Sequence, residues 1–354
     1  MGEEKTMNEN QLMKIATLLR GKMETTQYTN FILSLFAYKM LCGQYDIQGN
    51  IYEGMRKLND LLPHEQGVDL FDIELFKDQE LIDHILSELD ISKVTTHSFG
   101  DIYEMILGFF SKGNSAIFGE FYTPKELAEL QAILTITDHA KSIYDPTCGA
   151  GGLILQGIGK IDKFYGQELN KETFKICRKN LLIHGLRPDQ CFIRWGDTLS
   201  NPQHIGMKFD AILANPPFSI AWEQAKFKDD PRFDGILAPK STADLAFVQH
   251  MISHLSDDGI CSIVLPHGVL FRGNSEQKIR EHLIKKNYID TVIGLPPKIF
   301  QQTDIPTCML ILKKNRVNTD ILFIDASEEF EKVGKKNKLI NTKIIEAVKN
   351  RGQV

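Results

Sequence analysis

Four consecutive residues, Asn215-Pro216-Pro217-Phe218, carry groups suited to binding a planar amine. The two prolines fix φ, lack N–H donors and hold the preceding residue extended, so the Asn215 amide and the Pro216 carbonyl form a rigid pair of acceptors. Two acceptors on the hydrogens of a group such as N6 of adenine would free its lone pair for attack on an electrophilic methyl group. Phe218 offers a face on which a base can stack. The alternative interpretation is a proline-rich turn that only closes a strand.

The element before this tetrapeptide must position it. Residues 209–214 are an apolar run that predicts a buried strand of a parallel sheet. The tetrapeptide then lies at the carboxyl end of that strand, where open α/β sheets bind their ligands.

Three more predicted strands, residues 142–145, 163–168 and 191–197, each end in an acid. Asp145 precedes a turn that contains Thr147 and three glycines; it would repel a pyrophosphate but attract the amino group of a methionine moiety. Glu168 is placed to accept from ribose hydroxyls, and Asp197 from an adenine amino group. The glycines, which allow a ligand to approach the backbone closely, are Gly149, Gly151 and Gly152.

A nicotinamide-dependent dehydrogenase is the natural competing interpretation of such a turn. The glycine spacing is not G-x-G-x-x-G, and the turn begins with an acid. Dehydrogenase chemistry also gives no role to Asn-Pro-Pro-Phe. A ligand that carries a methionine moiety, a ribose and an adenine accounts for the pattern better.

The tetrapeptide resembles the catalytic motif of amino-group methyltransferases that use S-adenosylmethionine. From about Leu12 to about Lys338 the chain is similar to the modification subunit of type I restriction-modification systems, which makes N6-methyladenine in double-stranded DNA. The resemblance implies Asn215, Pro216, Pro217 and Phe218 as catalytic residues. It also implies a segment bordering the cofactor, which is made up of Glu120, Phe121, Tyr122, Thr123, Pro124 and Lys125. From the residues themselves, Thr123 is predicted to cap a helix that has Pro124 in its first position.

Helical spacing of apolar residues up to about residue 113 predicts an all-α domain, which the resemblance implies helps to close around DNA. Residues 114–327 are predicted to form a doubly wound, mostly parallel α/β methyltransferase domain with an antiparallel closing strand. Residues 328–354 are a Lys-rich C-terminal segment. Members of the family usually continue with further helices that dock on the specificity subunit. Assembly with that subunit is therefore the property of this chain that the comparison puts in doubt.

Charge and composition bear on partners and location. The net charge is −5, and residues 1–112 alone carry −8, so we expect a partner to supply much of the DNA contact. The resemblance implies a DNA-specificity subunit, a second methyltransferase subunit and a restriction (translocase/nuclease) subunit. The sequence contains no run of about 18 apolar residues and no N-terminal signal pattern, which predicts a cytoplasmic protein without membrane contact. The six cysteines have no metal-binding spacing, which predicts reduced thiols and no metal.

Two other functions stay open, and one loop adds a hypothesis. The chain could methylate a protein glutamine or RNA, because the glutamine amide nitrogen poses the same chemical problem. It could also be a non-catalytic assembly subunit. Residues 219–242 form a long polar segment, which predicts a loop that orders on DNA, with Lys226, Lys228 and Arg232 near phosphate.

Overall fold

The computed structural model describes residues 9–89, 123–300 and 303–351, together with positions 102, 105, 106 and 109. The chain divides into two compact units. One contains Met1–Glu120 and Asn170–Cys191, and the other contains Phe121–Leu169 and Phe192–Val354. The predicted domain boundary between residues 113 and 114 lies outside the described residues and stays a prediction.

The first unit is helical. Its main elements are α1 (Glu9–Leu19), α2 (Thr25–Tyr45), α3 (Ile51–Leu61), α4 (Gln79–Glu88) and α7 (Lys171–Ile183). Helix α7 packs against α2 and contributes the buried Lys179, whose Nζ donates to Asn30 Oδ1 at 2.7 Å and to Ser34 Oγ at 2.8 Å. The sequence predicted this helix within the second domain. The buried ammonium group of Lys179 needs polar partners, and residues of α2 provide them.

The second unit is built on an eight-stranded sheet in the order β3-β2-β1-β4-β5-β7-β6-β8. Neighbouring strands with described registers are parallel, except that β7 is antiparallel to both β5 and β6. This arrangement confirms the predicted mostly parallel sheet with an antiparallel closing strand. The strands are β1 (Ser142–Asp145), β2 (Lys163–Glu168), β3 (Cys191–Trp195), β4 (Phe209–Ala214), β5 (Leu255–Pro266), β6 (Ile289–Gly294), β7 (Thr307–Lys313) and β8 (Leu322–Asp325).

Helices and a hairpin complete this unit. The helices are α5 (Lys125–Thr135), the short α6 (Gly152–Leu155), α8 (Asp244–His254), α9 (Asn274–Lys285) and α10 (Thr342–Lys349). The Lys-rich C-terminal segment is folded: β9 (Phe330–Val333) and β10 (Lys336–Leu339) form an antiparallel hairpin, and α10 packs on α5. Leu339 and Ile344 enter the same apolar cluster as Leu127 and Leu130 of α5, which explains why this segment is ordered.

Residues 219–242 are packed rather than extended over the surface. Trp222 is buried and its ring stacks on Phe227, with 5.6 Å between the centroids. Arg232 is buried as well, since only 8% of its side chain is exposed. Its guanidinium donates to the Asp230 carboxylate, to the carbonyls of Thr198 and Leu199, and to His250. The prediction that Arg232 lies near phosphate is therefore wrong; its charge is used inside the fold.

Replacement of Arg232 should act on stability. Arg232→Ala removes the guanidinium from the Asp230 carboxylate and leaves the carbonyls of the buried Thr198 and Leu199 without this donor. We therefore expect a loss of about 3 kcal/mol in the free energy of unfolding. The exposed Lys228 provides a matched control, and Lys228→Ala should change stability by less than about 0.5 kcal/mol. Urea denaturation followed by circular dichroism measures both; equal stabilities of the two variants would contradict the assignment.

Candidate functional site

A buried carboxylate, that of Asp244, accepts a hydrogen bond from the end of the turn that follows β4. Ser219, which follows Phe218, has a left-handed backbone with φ of 54°. Its N–H donates to Asp244 Oδ1 at 2.7 Å, and Asp244 Oδ2 accepts from Arg272 at 3.2 Å. Only 1% of Asp244 is exposed. A desolvated, charge-assisted contact of this kind fixes the direction in which the chain leaves the turn, and with it the position of Phe218.

The side chain of Asn215 is held on one side only. Its Nδ2 donates to the Thr123 hydroxyl oxygen at 3.1 Å, whereas its Oδ1 is buried and accepts from no group in the described part of the chain. The backbone just before it is held by Gln131 of α5, whose Nε2 donates to the Ala214 carbonyl at 3.1 Å. An acceptor is thus left available at the carboxyl end of β4.

Thr123 does not have the predicted capping role. Helix α5 begins at Lys125, and Pro124 is the N-cap residue without a side-chain hydrogen bond. The Thr123 hydroxyl contacts Asn215 instead, so the helix starts one residue later than the sequence suggested. The Lys125 side chain is exposed. The predicted site residues Glu120, Phe121 and Tyr122 lie outside the described residues.

The Phe218 ring is partly buried and has an aromatic neighbour. Phe300 packs against it edge to face, with 5.8 Å between the ring centroids and an interplanar angle of 86°. Phe300 itself is 4% exposed, so it gives Phe218 a rigid support. The Pro216 side chain is buried, and Pro217 is partly exposed.

A second group of residues lies at the carboxyl ends of β1 and β2, beside β4 in the sheet. Asp145 ends β1, and its Oδ1 accepts from the Thr147 backbone N–H at 2.9 Å. Gly149 and Gly151 have φ of 51° and 89°, a conformation that favours glycine. The Gly149 N–H donates to Glu168 Oε2 at 3.0 Å, which ties the glycine turn to the end of β2. Gly152, which opens α6, is exposed.

The two acids of this group are unusually well buried. Asp145 is 2% exposed and Glu168 is 4% exposed. Burial raises the pKa of Asp145 to about 8; hydrogen bonds from Thr147 oppose that rise, and the nearby Glu168 carboxylate adds to it. Two carboxyl groups sharing a desolvated site favour a cationic ligand, because a positive charge offsets the cost of burying negative charge there.

Asp197 lies two residues beyond the end of β3, and its carboxylate already has local partners. Oδ1 accepts from the Leu199 N–H at 2.9 Å, and Oδ2 accepts from the Ser200 hydroxyl at 2.6 Å. A carboxylate can accept more than two hydrogen bonds, so its predicted contact with an adenine amino group stays a prediction.

Sequence reasoning missed four residues that build this site: Gln131, Asp244, Arg272 and Phe300. Each acts through a contact with a residue at least 25 positions away, namely Ala214, Ser219, Asp244 and Phe218. The one local signal was the position of Asp244 in the first turn of α8, which sequence analysis would attribute to the helix dipole.

Residues 94–352 match the family described as N-6 DNA Methylase. A type I restriction enzyme MpnII methylase subunit of Mycoplasma pneumoniae is 38% identical over 276 residues, covering 71% of this chain and 51% of the relative. The HindI methylase subunit of Haemophilus influenzae is 34% identical over 242 residues, covering 65% of this chain and 54% of the relative. The chain thus spans about half the length of these curated relatives.

A solved structure resembles the whole chain. The type I restriction-modification system methyltransferase subunit from Streptococcus thermophilus is 32% identical, with a TM-score of 0.78, and the match covers 98% of this chain and 93% of that one. Within the residues that the structure describes, no helix is both long and apolar enough to cross a bilayer.

Proposed function

Since the chain belongs to the N-6 DNA methylase family, we propose that it transfers a methyl group from S-adenosylmethionine to N6 of adenine in double-stranded DNA. In this proposal it acts as the methyltransferase subunit of a type I restriction-modification system. The observation that carries the proposal is the Asn215 amide: a buried Oδ1 without a partner among the described residues, at the end of a central strand. An acceptor left unpaired in this way is costly unless a substrate supplies the donor.

The target adenine must leave the duplex to reach this acceptor, at a cost of a few kcal/mol. Asn215 Oδ1 and the Pro216 carbonyl oxygen accept hydrogen bonds from the two N6–H groups, and the Phe218 ring stacks on the base. These contacts disfavour delocalisation of the N6 lone pair into the ring. N6 then forms a bond to the methyl carbon as the bond from that carbon to sulfur breaks. The sulfur keeps the electron pair of the broken bond and becomes a neutral thioether, and N6 afterwards loses one proton to solvent. No covalent bond to the protein is formed.

The residues at the ends of β1 and β2 fit S-adenosylmethionine, which supplies a methyl group on a sulfonium centre. Asp145 and Glu168 favour a cation, and this cofactor carries a sulfonium and an ammonium group. Glu168 is assigned to the ribose hydroxyls, and Thr147, Gly149, Gly151 and Gly152 to the backbone approach around the methionine moiety. Asp197 is assigned to the adenine amino group. The residues assigned to the border of the cofactor are Glu120, Phe121, Tyr122, Pro124 and Lys125.

Binding of the cofactor should depend on pH through Asp145. Because the pKa of Asp145 is about 8 without ligand, the carboxyl is mostly protonated at pH 7 and must lose that proton to face a cation. The affinity should rise about tenfold from pH 6 to pH 7, and binding should release a proton. Calorimetry in buffers of different ionisation enthalpy measures both the affinity and the number of protons released. The titration is kept below pH 7.5, where the ammonium group of the cofactor is charged.

Asp145→Asn is the matched control for that titration. The amide keeps the size of the side chain but has no proton to release, so its affinity should be low and independent of pH in this range. A wild-type affinity that does not change between pH 6 and 7 would contradict the role of Asp145. In the ligand-free protein, stability should depend on pH in the opposite direction to cofactor affinity. Because the pKa of Asp145 is raised by folding, the free energy of unfolding should fall as the pH rises from about 4 to about 8.

Cysteine 148 tests the direct transfer. It lies buried in the glycine turn, where a nucleophile would be well placed for covalent chemistry. Cys148→Ala should nevertheless retain methylation within about threefold, because the mechanism assigns no role to its thiol. A loss comparable to that of an Asn215 variant would show that the mechanism is wrong.

The partners and location belong to the proposal too. A DNA-specificity subunit, a second methyltransferase subunit and a restriction subunit are proposed as partners from the resemblance to type I modification subunits, and a cytoplasmic location stays a prediction. To test the function, the chain is expressed with its specificity subunit in a host without adenine methyltransferases, and the genomic DNA is sequenced for N6-methyladenine. We expect methylation at one defined sequence motif. Unmethylated DNA from cells that contain the assembled complex would refute the proposal.

A further inference from the structure

The Asn215 amide has two chemically different ends, and only one suits the reaction. Its oxygen can accept from an amine, whereas its NH₂ group would face the substrate amine donor to donor. A rotation of 180° about the last side-chain bond exchanges the two ends at almost no steric cost. The reactive orientation has Oδ1 toward the substrate, and in it the buried Nδ2 needs an acceptor of its own.

Within the described part of the chain, Thr123 supplies that acceptor. The Thr123 hydroxyl oxygen accepts from Asn215 Nδ2 at 3.1 Å, which leaves Oδ1 directed elsewhere. Both residues are partly buried, so water competes weakly for either group. A second contact joins the two parts of the chain that carry Thr123 and Asn215. The side chain of Gln131 in α5 is fully buried and donates to the Ala214 backbone carbonyl. The position of the hydroxyl relative to the amide is thereby fixed.

We infer that Thr123 is a positioning residue for methyl transfer, acting through Asn215 rather than through the cofactor. This inference rests on the proposed function. When Oδ1 accepts from the substrate, Nδ2 is left buried, and Thr123 supplies the acceptor that it needs. By accepting from Nδ2, the hydroxyl also polarises the amide so that Oδ1 becomes more negative. This stabilises the positive charge that develops on N6, so the contact is worth most in the transition state.

Two substitutions separate this role from contact with the cofactor. Thr123→Val has nearly the same shape but no acceptor, and Thr123→Ser keeps the hydroxyl while losing a methyl group. The assembled complex with its specificity subunit is given an unmethylated duplex that contains its recognition motif, together with S-adenosylmethionine carrying a tritiated methyl group. Single-turnover rates, kcat, KM and the Kd of S-adenosylmethionine are measured for both variants and the unaltered complex.

We expect Thr123→Val to lower kcat by about tenfold or more, with the Kd of S-adenosylmethionine unchanged within about twofold. Thr123→Ser should retain about half of kcat or more. An unchanged kcat in Thr123→Val would overturn the inference, as would an equal weakening of cofactor binding or an equal loss in Thr123→Ser. Those results leave the proposed function intact, because the unaltered complex methylates DNA in the same assay. An inactive unaltered complex would instead overturn the proposed function, and this inference with it.

Discussion

Asn215→Ala should abolish methyl transfer while leaving the cofactor bound. The substitution removes the acceptor that holds N6 of adenine, and this acceptor gains strength as positive charge develops on the nitrogen. Loss of one preorganised group of this kind costs about a thousandfold in rate, on the order of 4 kcal/mol. The measurement is the single-turnover rate in the assembled complex, accompanied by the Kd of S-adenosylmethionine.

Asn215→Asp gives a sharper comparison at the same position. It keeps one acceptor oxygen but replaces Nδ2, which donates to Thr123, by a second acceptor. The Thr123 hydroxyl can turn to donate, so some activity should return, although the extra negative charge changes the hydrogen-bond pattern. A rate for Asn215→Ala within about tenfold of the unaltered complex would show that the transfer does not depend on this amide.

Glu168→Ala should weaken the binding of S-adenosylmethionine by about a hundredfold, since it removes a charged acceptor worth roughly 3 kcal/mol in two hydrogen bonds. The expected result comes from calorimetry on the isolated chain, with Asp197→Ala measured beside it. Asp197 already satisfies Leu199 and Ser200, so a smaller loss is expected there.

Glu168 also accepts from the Gly149 N–H, and this contact needs its own control. Glu168→Gln keeps an acceptor oxygen for Gly149 but loses the charge, so the glycine turn should stay folded. If cofactor affinity falls in Glu168→Ala and is largely restored in Glu168→Gln, the residue mainly shapes the turn. A strong loss in both variants supports direct binding, and unchanged affinity in Glu168→Ala would place the cofactor elsewhere.

The sheet was predictable because its strands are short apolar runs followed by polar turns. Three strands have the predicted bounds: β1 (Ser142–Asp145), β2 (Lys163–Glu168) and β4 (Phe209–Ala214). Burial on both faces of a parallel sheet leaves a continuous apolar signal in the sequence. The acids at the ends of β1 and β2 were predictable for the same reason, since the end of a strand determines where its last side chain lies.

The polar contacts that complete the site were not predictable in the same way. Thr123 before a proline is a good helix cap by local rules, and only the approach of Asn215, 92 positions away, gives its hydroxyl another partner. Arg232 has the sequence context of a surface cation, but the carbonyls of Thr198 and Leu199 hold it inside the fold. Local patterns do not contain such long-range pairings, and a short polar segment does not reveal which side it buries.

Helix α5 contacts two segments of the second unit that are far apart in sequence: the strand before Asn215 and the residue before α10. Gln131 holds the strand before Asn215, and the Glu126 carbonyl in the first turn accepts from Asn341 Nδ2 at 2.7 Å, just before α10. For protein engineering this means that α10 is a poor place for a deletion or a rigid fusion. A distortion introduced there has a short route, through one helix, to the residues that set the geometry of catalysis. A flexible linker after α10 is the safer design for labels and affinity tags.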